Sequence, residues 1–155
     1  MSMKWQVKEM DKFLQAKEYV DTAFLPLIPV SSHNQLKTIV SMGEFITIMT
    51  NELERQFQGR AVLFPAFTYL KSEKESEREQ RLQAWVSDLQ QGEMKHIFLL
   101  TSDADWKMNE ESFDASLIWL PTIPLEHMDL ANKQQVIAEQ IKQLVPLLTN
   151  KWQKL

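Results

Sequence analysis

The chain has 155 residues, 44% hydrophobic and 25% charged, which suits one globular domain over 1–155 rather than a disordered segment. Seventeen Lys and Arg against 21 Asp and Glu give a formal net charge of -4 with no basic run, which argues against nucleic acid as a partner. Zero cysteines exclude disulfides, thiolate nucleophiles and cysteine metal sites, and no apolar stretch is long enough to cross a bilayer, so a cytoplasmic protein without membrane insertion is expected.

Taken in chain order, Trp5 and Val7 suggest an extra edge strand, and Met10, Phe13 and Leu14, with or without Tyr19, a short helix. Four compact apolar runs bounded by breakers read as strands: Ala23–Val30, Ala61–Phe64, His96–Thr101 and Ala115–Leu120. Proline lacks the ladder donor, so Pro26 predicts that the first strand is short, bent or at an edge. Helical spacing links these runs. It joins Leu36, Ile39, Val40, Gly43, Ile46, Leu53 and Phe57, with Gly59 as a stop, and then Leu82, Trp85, Val86 and Leu89, with Gly92 as a stop. A last helix over about Asp129 to Trp152 is expected to kink or end near Lys142, because Pro146 removes a helical donor.

Unbroken apolar strands alternating with helices predict a three-layer α/β/α sandwich around a mainly parallel sheet of four to five strands. In such sheets ligands bind outside the carboxyl ends of the strands. Those ends carry Ser31, Ser32 and His33; Thr68 and Tyr69; Thr101, Ser102, Asp103, Asp105 and Trp106. These are the candidate ligand or partner residues.

His33 beside two serines invites a nucleophile–base reading, but no nucleophile elbow surrounds it, and a helix-capping role for Ser31 or Ser32 is the plainer expectation. Asp103 and Asp105 suit an acid–base or cation role, or simple Asx-turns. His96 and His127 read as structural or surface residues. Trp85 and Trp119 read as core, while Trp106 either anchors a partner or plugs the end of the core. Only three glycines are present and none opens a strand-to-helix turn, so neither a P-loop nor a dinucleotide fingerprint can be built.

The segments Asp11–Thr22, Leu25–Pro29, Gly43-Glu-Phe-Ile-Thr47, Glu54–Phe57 and Phe64–Tyr69 resemble the YpiF-like family of uncharacterised bacillar proteins over nearly the whole chain. That resemblance implies a bacterial domain of unknown function and supplies no catalytic residues. Leu25-Pro26 and the Pro65–Tyr69 segment are also similar in layout to creatininase-type amidohydrolases. In that likeness Pro65–Tyr69 is a turn, and the metal loop is replaced by Pro29–Lys37, leaving Glu44 where an acidic ligand would stand.

The leading expectation is therefore a non-catalytic cytosolic binding or protein-interaction module with no cofactor and no metal, its partner an unidentified protein or small ligand at the strand-end loops. The competing expectation is a hydrolase using His33 with Asp103 or Asp105, with or without a metal. A homodimer through an apolar helical surface is the third.

Overall fold

The computed structural model describes residues 2–153. The chain divides into two compact units, Met1–Thr122 and Ile123–Leu155. The first contains α1 (Val7–Gln15), β1 (Thr22–Val30), α2 (Leu36–Gln56), β2 (Ala61–Leu63), β3 (Phe67–Leu70), α3 (Glu75–Gln91), β4 (His96–Thr101) and β5 (Ser116–Trp119), with 3-10 turns at Lys17–Tyr19 and Ala104–Asn109. The second contains α4 (Leu130–Gln153).

All strand pairs are parallel, in the order β2-β1-β4-β5, and β3 also pairs with β1. The first half of β1 meets β2 up to Phe24↔Leu63, and its second half meets β3 from Leu27↔Phe67. One edge is thus a broken strand, interrupted around Pro65-Ala66. Alternation along β1 and β4 divides the core into two faces. Ala23, Leu25, Leu27, Ile97 and Leu99 cluster with Leu82, Val86 and Leu89 of α3. On the opposite face Phe24 lies 6.4 Å from Phe57 and 6.0 Å from Phe98, and Ile28 abuts Gly43 of α2. Helices therefore cover both sides of the sheet, the expected three-layer arrangement.

Pro26 does not shorten β1, which at nine residues is the longest strand and lies inside the sheet. Alternate residues of a strand point their backbone groups to alternate sides. Because the Phe24 carbonyl accepts from the Phe64 N–H (3.0 Å), even-numbered residues of β1 face β2 and β3. The missing donor of Pro26 thus falls opposite the Pro65-Ala66 break, where no ladder bond is needed. Pro29 faces the β4 side, beyond the last pair, Pro26↔Leu100.

Three further expectations are corrected. Trp5 and Val7 form no edge strand: Val7 opens α1, and Trp5 packs on Phe64 at 5.1 Å. The Met3 carbonyl reaches the sheet edge, accepting from the Leu63 N–H at 3.0 Å. Trp85 is not core but exposed, standing edge-on to Phe67. In the second unit α4 runs on through Pro146 without ending near Lys142. It starts at a cap in which Asp129 Oδ1 accepts from the Asn132 N–H at 2.8 Å, and its buried side chains are Ile141, Leu144, Leu148 and Trp152.

The outer edge of β3 is guarded. The Thr68 carbonyl accepts from Arg81 Nη2 at 3.2 Å, and Glu73 holds Arg81 through two bonds of 2.7 and 2.8 Å. Unpaired edge strands template self-association, and a fixed charge on the edge blocks it. Arg81→Ala should leave the circular dichroism unchanged and raise the apparent mass in light scattering above that of the wild type as concentration rises. A variant whose apparent mass follows the wild type's would show that the cap has no protective role.

Candidate functional site

Three loops meet at the carboxyl ends of β1, β3 and β4. After β1, Ser31 Oγ accepts from the Asn34 N–H at 3.1 Å, closing a turn before α2 rather than capping the helix as expected. The N-cap is Gln35, in the left-handed region (φ 47°) and with no side-chain cap. Ser32 Oγ lies 3.3 Å from His33 Nδ1, and both side chains are exposed.

After β4 the chain turns inward. Thr101 Oγ1 accepts from the Asp103 N–H at 2.9 Å, and Asp103 Oδ1 accepts from the Asp105 N–H at 3.1 Å, capping the 3-10 turn. This places the Asp103 carboxylate in the interior. There Tyr69 O–H donates to Asp103 Oδ2 at 2.6 Å, and Trp106 Nε1–H donates to the Tyr69 oxygen at 2.8 Å. Lys71 Nζ contacts both Asp103 oxygens at 3.0 Å and Asp105 Oδ2 at 2.7 Å. The buried Arg78 guanidinium lies 4.3 Å from the Trp106 ring centre and 5.4 Å from that of Tyr69.

Burial alone would raise the Asp103 carboxyl, but the bonds from Tyr69 and Lys71 outweigh it and hold the group below the usual carboxylate range. Burial, then the Asp103 bond, pushes the Tyr69 phenol far above its ordinary value. Desolvation pulls the Lys71 ammonium down, yet its bonds to Asp105 and Asp103 leave it above the usual lysine range. Asp103 and Lys71 are thus an ion pair and Tyr69 a neutral donor at neutral pH.

The candidate residues separate into two groups joined by Lys71. Tyr69, Thr101, Asp103, Asp105 and Trp106 form the network beneath, with Trp106 fully buried. Ser31 and His33 lie above, lining with Lys71, Asn34 and Ser72 a hollow of about 230 Å³. Ser32 is exposed beside them. Thr68 is exposed on β3, and Ser102 is buried, its carbonyl accepting from Trp119 Nε1 at 3.3 Å. Trp119 is half-buried under Lys107 rather than inside the core. The Pro65–Tyr69 segment is not a turn throughout, since β3 begins at Phe67.

A second hollow of about 320 Å³ adjoins the first, sharing Ser31 and Ile39. Its walls are Ile28, Val30, Ile39 and Val40, with Gly43 and Glu44 further along α2. Val30 and Val40 are exposed on its rim, and Leu70, paired in register with Val30, and Leu36 are exposed nearby. The two hollows form one groove, polar at the strand ends and aliphatic along α2.

Lys71 is not among the sequence candidates because it opens a charged segment, Lys71 to Glu79, that by sequence reads as a solvated helix face or a mobile loop. Its signal was the spacing to Tyr69: two residues apart at a strand end, the two side chains share a face.

The fold and groove define a small parallel α/β domain with a ligand-sized cleft at its strand ends. Residues 11–152 match the model of a family described as protein of unknown function (DUF2487). The chain is 32% identical over 156 residues to the uncharacterized protein YpiF of Bacillus subtilis (strain 168), covering 99% of this chain and 100% of that protein. The chain belongs to this family. It is also similar to the crystal structure of a sigma-54 interaction domain protein from Enterococcus faecalis, at 13% identity and TM-score 0.43 over 82% of this chain and 95% of that one.

Proposed function

We propose that this chain is a non-catalytic, cytosolic interaction module of a bacterium that holds a segment of a partner protein in the strand-end groove. The observation that carries the reading is the continuous groove itself, with an aliphatic trough open to solvent and hydrogen-bonding side chains at one end. Exposed aliphatic clusters rimmed by polar groups are typical of protein-binding surfaces. The competing hydrolase reading needs an aspartate free to orient His33. Asp103 already accepts bonds from Tyr69, Lys71 and the Asp105 N–H, and Asp105 accepts from Lys71. Among the described residues no three His, Cys, Asp or Glu side chains gather as metal ligands.

Panning a random peptide display library against the wild type and Val40→Asp tests the reading. Val40 is exposed, so the variant should fold normally. The wild type should enrich sequences with a recurring aliphatic position, and the variant should lose that enrichment. Equal enrichment by both proteins, or none by the wild type, removes the groove as the binding surface. A hydrolase would instead turn over p-nitrophenyl acetate in a manner abolished by His33→Ala, and no such turnover is expected.

A further inference from the structure

We infer that the groove receives the carboxyl terminus of a partner protein whose last residue is aliphatic. This rests on the groove reading above and names its occupant. The polar hollow is lined by Lys71, His33, Ser31, Asn34, Gln35 and Ser72 together with Ile39, and by no Asp or Glu. It is a place for an acceptor, above all a carboxylate beside the lysine.

Lys71 is held by two unequal partners. The Asp103 side chain is 2% exposed and fixed by Tyr69, whereas the Asp105 side chain is 63% exposed. Exposed ion pairs are weak. A carboxylate entering the hollow therefore replaces Asp105 on the ammonium and leaves the buried pair intact.

The trough identifies what the carboxylate is attached to. It shares Ser31 and Ile39 with the polar hollow, so a single residue can span both. A residue offering a carboxylate and an aliphatic side chain together is a chain terminus; an internal Asp or Glu offers only the first. Glu44, nine residues along α2 from Gln35, lies about 13 Å further on at 1.5 Å per residue. About four extended residues cover that distance, so a basic residue there in the ligand would meet Glu44.

The test is fluorescence anisotropy on the full chain with fluorescein-labelled synthetic hexapeptides ending in valine or leucine, each as free acid and as amide. The free acids should bind saturably, with the amides weaker by about tenfold or more, the scale of a lost charge-assisted bond. Asp105→Asn should tighten the free acids by about two- to fivefold, the scale of an exposed ion pair. Acids and amides that bind alike, no binding by about 1 mM, or an Asp105→Asn variant that binds no better would overturn the inference. Displacement by 4-methylpentanoate at the peptide's own concentration would also overturn it, because the rest of the peptide chain would then contribute nothing. Val40→Asp separates the two levels. If the wild type binds acid and amide alike and Val40→Asp abolishes both, the groove stands and the terminal carboxylate falls; if Val40→Asp changes neither, both fall.

Discussion

Alanine at Trp106 is expected to destabilise the domain by about 4 kcal/mol, within the range measured for removing a buried tryptophan. The indole is fully buried, with Tyr69, Phe67 and Phe113 ring centres 5.2, 6.3 and 6.3 Å away. Its Nε1–H bonds the Tyr69 oxygen, and the Arg78 guanidinium covers its face, so truncation also strips a partner from each. Domains are stable by only about 5–15 kcal/mol, so the variant should sit near its unfolding threshold at 37 °C. Urea unfolding followed by circular dichroism reads the change as a lower midpoint at unchanged slope. A loss below about 1.5 kcal/mol would mean that the site collapses around the gap, in conflict with the packing described. Trp106→Ala is accordingly a poor probe of binding, since lost capture would report a loosened fold.

Asp103→Leu is the second large effect, about 3 kcal/mol, at the lower end of the range for breaking a buried ion pair because Lys71 keeps Asp105 and some access to water. It leaves Tyr69 O–H without an acceptor and removes the cap of the 3-10 turn. Adding Lys71→Met should recover part of the loss, because an apolar pair leaves no stranded charge. A double variant no more stable than Asp103→Leu would contradict the coupling. The same carboxylate governs acid sensitivity. Its folded pKa lies below the unfolded value of about 3.9, so its contribution is complete above that pH and lost as pH falls toward the folded value. Asp103→Asn should flatten stability against pH in this acid window, and a profile parallel to the wild type would assign the acid loss to other groups.

The sheet was largely legible because fully buried parallel strands are compact apolar runs, and His96–Thr101 is a strand with those very bounds. Phe67–Leu70 was not, because a strand following Pro65 and alternating buried with exposed residues looks like the tail of a loop. Pro26 misled for a related reason: the rule against proline inside a sheet assumes an unbroken neighbour, and here the neighbour is broken opposite it. The candidate site was legible as a location, since the ends of parallel strands are fixed by topology. Which of its side chains face inward was not. Asp103, Asp105 and Trp106 lie within four residues, yet a bond from the Asp105 N–H to Asp103 turns one carboxylate into the core and leaves the other in water.

The two prolines of β1 also decide which alignment of the chain can exist. Sliding β1 by one residue would turn each side chain to the opposite face. Pro26 would then present its ring toward β4 within the paired stretch, and Pro29 would present its ring toward β3, opposite Tyr69 and its neighbours. Each would delete a ladder bond that the native alignment never requires. Apolar residues fill both faces of this strand, so hydrophobicity alone discriminates poorly between the two alignments. The prolines act as a key cut for one of them.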